Sequence, residues 1–391
     1  MSIEPLDPAS IDLDRWREVA DPPADAAVAE YFAAVEASAP GQLFGHLVRH
    51  TRLPAEEQVP AVRTFLETAA MPPDWVDERA VARGQEFFNR LVAHHFSALY
   101  LSSLPNSYAA AKGVQVLRLT SRLQTDTERR LNETAQFMMD IAAPGAMDPG
   151  GAGVDRILHV RLMHAAVRWL IAHDPSVERV ESMPPPAEEG STLVWSASWG
   201  LPANQEDLVG TWLTFTVAVY DAFDVSGVEY DSSDVDDHLH LWRLVGHYLG
   251  ASPELVPLDR AAASELRDRI WHRQQAPSGA GRAMTAALVA QSHQHMPRLA
   301  WPVMPTAFRH FLGDHVADMI GLAPANWTRH LFPVMSALTR ILTRGKATNR
   351  FHARVSAFVG RHLMNGILDE MRHGDRPAFA IPTHLADAGG R

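Results

Sequence analysis

Apolar residues recur every three or four positions along most of this 391-residue chain. Valine and isoleucine do not gather in alternating runs, whereas alanine, leucine, arginine and glutamate dominate long segments that end at proline or glycine. This period and these residue types are typical of α-helices, so the pattern predicts an all-α fold. The predicted helices cover residues 25–38, 41–50, 58–70, 80–103, 107–122, 123–142, 154–173, 204–222, 233–250, 259–274, 280–294, 304–321, 327–343 and 347–373.

Two groups of proline and glycine residues interrupt this pattern. Pro144-Gly145 and the run from Gly150 to Gly153 separate two long helices, and the run from Pro184 to Gly190 precedes an irregular region. A size of ~150 residues per domain would give two or three domains. The breaks are too short to be interdomain linkers, so we expect one all-α domain over residues 1–391. Residues 1–24 and 374–391 are expected as peripheral extensions of it.

Composition restricts the chemistry that is available to the chain. It has no cysteine, which excludes disulfides, thiolate nucleophiles, iron–sulfur clusters and cysteine-ligated haem. A metal would therefore be held by some of the 20 histidines or by Asp, Glu, Tyr or Met. The 35 Lys and Arg against 46 Asp and Glu give a net charge of −11, which repels phosphate backbones and anionic lipid. Nucleic acid is therefore not an expected partner.

The amino-terminal sequence is acidic and contains proline, without the basic segment and apolar core of an export signal. The most apolar run, Thr211 to Phe223, is shorter than the ~18 residues that span a bilayer. We therefore expect no transmembrane segment and a cytoplasmic location.

The predicted helix 154–173 carries a histidine between two arginines. At 3.6 residues per turn, Arg161, His164 and Arg168 share one face with Ile157 and Ile171. The two guanidinium charges favour the neutral imidazole, which is the form that binds metals. Buried arginines would need anionic partners. Haem would satisfy both needs through its iron and its propionates. The alternative is that the arginines pair with acidic side chains and that the histidine is structural.

The predicted helix 123–142 places a cation and a hydroxyl, Arg130 and Thr134, within an otherwise apolar face. Such donors beside an apolar pocket can hydrogen-bond to dioxygen or stabilise developing charge. The alternative is local, with Arg130 paired to Asp126 or Glu133 and Thr134 only filling space. The remaining positions of this face are Leu123, Thr127, Phe137, Met138 and Ile141.

These two helices also carry a resemblance to a known family. The matching segments are Arg130-Leu-Asn-Glu-Thr134 and Val160-Arg-Leu-Met-His-Ala-Ala-Val-Arg168, with 34 positions from Arg130 to His164. On these residues the chain resembles the latex clearing protein (rubber oxygenase) and MpaB-like oxygenase superfamily. Further matching segments cover most of the chain and are Pro73–Gln85, His240–Gly250, Arg309–Asp318 and Phe379–Leu385.

The resemblance implies an all-α protein with a globin-like helical core, and additional N- and C-terminal helices, around one non-covalent haem b. His164 would be the proximal iron ligand. Arg161 and Arg168 would hold the surroundings of His164 or bind the propionates, and Arg130 and Thr134 would line the distal side. The resemblance also implies that dioxygen is a co-substrate and that a carbon–carbon double bond of an isoprenoid chain is cleaved to two carbonyl ends.

Three departures from the family pattern change this expectation. Without an export signal, we expect a small or membrane-derived apolar substrate rather than solid polyisoprene. Glu133 stands where some relatives have a lysine that can cap the iron, and Val114-Gln115 stands where relatives have an acid proposed as a base. The expected function is a haem b-dependent oxygenase acting on an apolar, unsaturated substrate inside the cell. The alternatives are a haem-binding or gas-sensing protein, or a carrier of hydrophobic ligands, without oxygenase turnover.

Overall fold

The computed structural model of the protein describes residues 7–35, 47, 50–120, 127–188, 190, 192–294 and 297–343. Helices make up most of these residues. They are α1 (Leu13–Arg17), α2 (Pro22–Val35), α3 (Pro60–Ala69), α4 (Glu78–Arg90), α5 (Val92–Ala98), α6 (Leu104–Ala109), α7 (Gly113–Thr120), α8 (Thr127–Ala142), α9 (Ala152–His173), α10 (Gln205–Phe215), α11 (Val217–Ser226), α12 (Ser232–Leu249), α13 (Arg260–Gln274), α14 (Gly279–Gln294), α15 (Val303–Leu312), α16 (Asp314–Met319) and α17 (Phe332–Thr343).

The all-α prediction is confirmed, with one small exception. Two four-residue strands, β1 (Val177–Val180) and β2 (Leu193–Ser196), form a parallel pair in which Val177 lies opposite Leu193. The hydrophobic pattern did not predict them, because four residues are too few to show a clear alternation. Val177 packs in a small apolar cluster with Ile171 near the end of α9. The globin-like arrangement stays a prediction.

Four predicted helices are each divided in the structure, and one of them, 107–122, is interrupted at residues 110–112 between α6 and α7. The predicted helix 80–103 bends at Leu91, outside helical geometry, and continues through α5 into a π-helical turn at Leu99–Ser103. The predicted helix 204–222 breaks at Thr216, where φ is −115° and ψ is −88°. The predicted helix 304–321 breaks at Gly313, whose φ of +77° lies in the region that favours glycine. Helical periodicity continues through each break, so it does not reveal them.

The main apolar core lies between α4, α8, α9 and the helices from α10 to α13. Helices α4 and α12 pack closely at Gly84, where an added Cβ would lie 2.6 Å from the Asp237 carbonyl oxygen. A larger residue at this position would force the two helices apart.

The amino-terminal segment contributes to this core. Leu13 and Trp16 are buried in it. Arg17 is also buried, and its Nη1 lies 3.1 Å from Glu206 and 2.9 Å from Asp207 of α10. Residues 7–24, expected as a peripheral extension, are thus tied to the fold by buried contacts. The predicted helix 347–373, the matching segment Phe379–Leu385 and the extension 374–391 lie outside the described residues, and the single-domain organisation stays a prediction.

Helices α8 and α9 pack against each other and position the predicted site. The chain turns between them at Gly145 and Gly150, both with a φ of +73°. An ion pair of 3.0 Å between Arg156 Nε and Asp140 Oδ2 joins the end of α8 to the start of α9. Helix α9 also packs against α2 and α12. It therefore lies between the amino-terminal segment and the main core.

One stretch of the described residues, Gln205–Ser226, is long and apolar enough to cross a membrane by length and composition. It comprises α10 and α11, and 61% of its most apolar window is buried inside the protein. Core helices of folded proteins meet the same criterion, so this stretch is weak support for a membrane span.

Candidate active site

His164 lies in the middle of α9 and is half-buried. Neither of its ring nitrogens has a hydrogen-bond partner among the residues that the structure describes. Burial, and then the nearby Arg168 guanidinium, lower the pKa of His164 to about 4, while the Asp21 carboxylate acts in the opposite direction. The imidazole is therefore neutral at pH 7, and one nitrogen lone pair is available to a ligand.

Arg161, one helical turn before His164, forms a two-pronged ion pair with Asp21. The Nε–Oδ2 and Nη2–Oδ1 distances are 2.6 and 2.8 Å. The guanidinium carbon also lies 5.2 Å from the centre of the Phe65 ring. Gly250, at the end of α12, leaves room for this pair, since a Cβ there would lie 2.5 Å from Arg161 Nε and 2.6 Å from Asp21 Oδ2.

Arg168, one turn after His164, is held by two different groups. Its Nε donates to Asp25 Oδ1 at 2.7 Å, and its Nη1 donates to the Ala203 carbonyl oxygen at 3.1 Å. Ala203 has a φ of +46°, a left-handed conformation that is uncommon for alanine. The third nitrogen, Nη2, is buried without an acceptor among the described residues. This donor could take an anionic group placed next to His164.

Acidic side chains of the protein thus pair with both arginines, which is one of the two alternatives that the sequence left open. Asp21 directly precedes α2, and Asp25 lies in its first turn. Arg161 is 140 positions from Asp21 along the chain, and Arg168 is 143 positions from Asp25. Sequence reasoning did not identify these aspartates, because acidic residues at a helix start are common and point to no particular partner.

Arg130 and Thr134 lie half-buried on α8, the helix that packs against α9. Arg130 is near the buried Tyr108, since its charge partly offsets the rise in the tyrosine pKa that burial causes. The Thr134 hydroxyl makes no hydrogen bond to a described residue. Thr120 and Thr285, by contrast, donate to the carbonyl oxygen four residues earlier in their helices. The Thr134 donor is therefore available to a ligand.

The two residues at which the resemblance places the family's carboxylate, Val114 and Gln115, are both uncharged. Val114 and Gln115 are buried on α7, at 0% and 1% exposure. Val114 packs in the same apolar cluster as Tyr108 and Leu131 of α8, while the Gln115 amide donates to the Ala111 carbonyl oxygen at 3.0 Å. Glu133 of α8 is also buried, at 8% exposure. Neither Val114 nor Gln115 can act as an acid or base.

Sequence reasoning missed a second buried polar cluster between α5, α11 and α12. The His238 ring lies between the Tyr220 hydroxyl, 2.8 Å from Nδ1, and the Trp242 Nε1–H group, which donates to Nε2 at 3.2 Å. The His95 ring is 5.2 Å away, and its Nε2 is buried without a partner among the described residues. Burial lowers the pKa of His238 to about 3. This cluster is separate from the arginine–histidine face of α9.

Within the described part of the chain, no group of three or more His, Asp or Glu side chains could hold a metal ion. An iron held in haem needs only one imidazole from the protein, because the porphyrin supplies four nitrogen ligands. The free, neutral His164 can provide that imidazole, and Arg168 Nη2 can bind a carboxylate beside it. These two groups fit haem b.

A family model described as ER-bound oxygenase mpaB/B'/Rubber oxygenase, catalytic domain, matches residues 89–344. The Rubber oxygenase of Streptomyces sp. (strain K30) is 29% identical over 266 residues, which are 67% of this chain and 60% of that relative. The match therefore spans less than two-thirds of the relative. The solved structure of latex clearing protein LCP in the closed state has a TM-score of 0.70 at 23% identity, over 96% of this chain and 95% of that chain. The two chains therefore share a fold.

Proposed function

This chain belongs to the family of the ER-bound oxygenase mpaB/B' and rubber oxygenase catalytic domain, and we propose that it is a haem b-dependent oxygenase. It would use dioxygen to cleave or oxidise a carbon–carbon double bond of an apolar, isoprenoid-like or unsaturated substrate. The observation that carries the proposal is His164, a neutral and unpartnered imidazole on a helix between two ion-paired arginines.

His164 would hold the haem iron, and Arg168 Nη2 would donate to a propionate. When bound, haem supplies the site at which dioxygen is activated. Arg161 has a different task, since both of its bonded nitrogens already face Asp21. It would fix α9 against the amino-terminal segment. The charge that favours the neutral, ligating form of the His164 imidazole comes from Arg168.

The side chains of α8 would act on the opposite, distal side. The Thr134 hydroxyl, which is free of bonds to the described residues, would donate a hydrogen bond to the oxygen substrate. Arg130 would stabilise negative charge that develops during oxygen transfer. Neither Val114 nor Gln115 carries a carboxylate. Either another group would remove a proton from the substrate, or the reaction would proceed without a base.

The substrate class is inferred from the relative and from the apolar face of α8. The similar Streptomyces protein is a rubber oxygenase. In this chain Phe137, Met138 and Ile141 of α8 belong to or pack on the main apolar core, which gives this helix an apolar face beside its polar one. A small or membrane-derived alkene suits such surroundings. The cytoplasmic location also stays a prediction.

The proposal is tested with the full chain, reconstituted with hemin and reduced under dioxygen. Incubation with short polyprenyl alkenes should give carbonyl products that mass spectrometry detects, with ¹⁸O from ¹⁸O₂ in the new carbonyl groups. Haem binding without such products from any polyprenyl length would contradict the oxygenase assignment.

A second function is favoured by one observation, the buried Val114 and Gln115 at the position of the family acid. A haem protein that binds a gas without turnover would need no base there. The same incubation separates the two functions. A sensor would form a stable ferrous–gas spectrum and leave the alkene unchanged, whereas the oxygenase would consume it.

A further inference from the structure

Tyr108, near the end of α6, is a buried tyrosine that the proposed reaction does not yet use. Its side chain is 4% exposed and packs in one apolar cluster with Val114 of α7 and Leu131 of α8. Its hydroxyl makes no hydrogen bond to any residue that the structure describes. A tyrosine at this depth normally pairs its hydroxyl, so Tyr108 has a donor for which the described chain supplies no acceptor.

Two other tyrosines show the usual arrangement. The Tyr100 hydroxyl lies 2.6 Å from Ser292 Oγ, and the Tyr220 hydroxyl lies 2.8 Å from His238 Nδ1. The protein itself holds each of these hydroxyls. The Tyr108 hydroxyl is instead available to a bound molecule.

The main chain around Tyr108 is held on both sides. The Ala111 amide donates to the carbonyl oxygen of Gln274, the last residue of α13, at 2.9 Å. Helix α14 approaches closely at Gly281, where an added Cβ would lie 2.4 Å from the Tyr108 carbonyl oxygen. With its ring packed in the apolar cluster, the phenol is fixed before a ligand arrives. Donors that are fixed in advance are the ones that stabilise charge most effectively in a reaction.

The charge of Arg130 reaches Tyr108 from α8. Burial raises the pKa of the Tyr108 phenol above its ordinary value of 10.0, and the Arg130 guanidinium offsets part of this rise. The phenol therefore keeps its proton at pH 7 and is a hydrogen-bond donor. A guanidinium and a phenol O–H that lie near each other favour a bound atom with negative charge, such as an oxygen that gains electrons in a reaction.

We propose that Tyr108 donates a hydrogen bond to the oxygen substrate on the distal side, together with Thr134. The inference rests on the proposed function, which places Arg130 and Thr134 on that side. Val114, one of the two residues at which the resemblance places the family's carboxylate, packs in the cluster of Tyr108. A carboxylate there would accept a proton, whereas a protonated phenol donates a hydrogen bond. This part of the site therefore stabilises negative charge on oxygen rather than taking a proton from the substrate.

The test uses the full chain, reconstituted with hemin, reduced with dithionite and exposed to carbon monoxide as the probe of the distal side. A donor beside the bound probe weakens its C–O bond, so Tyr108→Phe should shift the infrared C–O stretch to higher frequency. Turnover of a polyprenyl alkene should fall on the order of 10²-fold, as when one such donor is removed. The urea denaturation midpoint should not fall, because the hydroxyl forms no bond to the described chain.

Tyr248→Phe is the matched control, because it deletes the same atom from another buried tyrosine. Tyr248 is 0% exposed on α12 in the main apolar core, and its hydroxyl also lacks a partner among the described residues. Burial raises its pKa, as it does for Tyr108. Tyr248→Phe should keep the C–O stretch and the turnover of the parent protein.

Two results would overturn the inference and leave the proposed function in place. One is an unchanged C–O stretch in Tyr108→Phe, and the other is an equal shift in Tyr108→Phe and Tyr248→Phe. A parent protein that binds neither hemin nor carbon monoxide would overturn the proposed function, and the inference with it.

Discussion

Asp21 and Arg161 form the ion pair that fixes α9 against the amino-terminal segment. Their side chains are 6% and 12% exposed, so little water screens the pair. The gain from pairing two such charges is partly offset by their desolvation, but removal of one partner leaves the other nearly buried and uncompensated.

Asp21→Ala should therefore lower the free energy of unfolding by about 3 kcal/mol, measured by urea denaturation. Asp14→Ala is the control, because Asp14 pairs with Arg273 but its side chain is 86% exposed. That change should cost less than about 1 kcal/mol. Equal costs for the two variants would mean that Arg161 finds another partner or reaches water.

Thr134→Val should separate catalysis from stability. The change keeps the side-chain volume and removes a hydroxyl that bonds to no described residue, so the free energy of unfolding should stay within about 0.5 kcal/mol. Turnover should fall on the order of 10²-fold if the hydroxyl stabilises charge on the oxygen substrate.

Thr285→Val provides the opposite pattern. This hydroxyl is 2% exposed and donates to the Gly281 carbonyl oxygen at 2.8 Å. Its loss should cost about 1 kcal/mol of stability and leave turnover unchanged. If both variants behave alike in stability and turnover, Thr134 has no special role.

At the scale of single residues, the sequence could indicate His164 but not its surroundings. Helical spacing alone places Arg161, His164 and Arg168 on one face. The identity of Asp21 and Asp25 as partners depends on how α2 folds back onto α9, which no local pattern encodes. The His95–His238 cluster was missed for the same reason, because its members come from three helices.

Helix α12 ends directly beside the Asp21–Arg161 pair, at Gly250. This residue has a φ of +82° and no room for a Cβ, since one would approach both members of the pair. The end of α12 is thus packed against the ion pair that positions α9.

Gly250→Ala should therefore destabilise the protein more than Gly150→Ala. Both positions have a left-handed backbone, with φ of +82° and +73°, but Gly150 has no atom within 4 Å of an added Cβ. Gly150→Ala should cost about 1 kcal/mol from backbone strain, and Gly250→Ala should cost about 2 kcal/mol more because it displaces the ion pair. Similar thermal denaturation midpoints for the two variants would contradict this account.

Most helices could be predicted at the scale of elements. Their apolar period is long, and proline or glycine marks many ends, so α8 and α9 were placed within four residues of their observed starts. The breaks at Leu91 and Thr216 could not be predicted, because no proline or glycine signals them. Helix α17 was predicted as a helix, but its outward apolar face appears only in the folded protein.

Histidines that the fold holds in the neutral form contribute to the response of the whole molecule to acid. Burial lowers the pKa of His164 to about 4 and that of His238 to about 3, against 6.5 for the ordinary side chain. Between pH 6.5 and these values, the unfolded chain binds more protons than the folded one. The contribution of these histidines to stability is therefore complete above pH 6.5 and decreases as the pH falls.

The free energy of unfolding should fall between pH 6.5 and 4.5, by up to about 1.4 kcal/mol per pH unit for each such histidine. His238→Gln should make the slope shallower by up to that amount, since glutamine can still accept from Trp242 without titrating. Urea denaturation at pH 7.5, 6.5, 5.5 and 4.5 measures this slope for the parent protein and for the variant. An unchanged slope in the variant would show that His238 is not buried in its neutral form.

The central claim is that His164 is the haem iron ligand, and the absorption spectrum of the purified protein tests it most directly. Hemin-reconstituted protein should show a Soret band that shifts on reduction with dithionite. His164→Ala should lose this spectrum or bind hemin in less than full stoichiometry. His159→Ala is the control, because His159 lies on the same helix and burial also lowers its pKa. That variant should keep the parent spectrum, whereas an unchanged spectrum in His164→Ala would contradict the assignment.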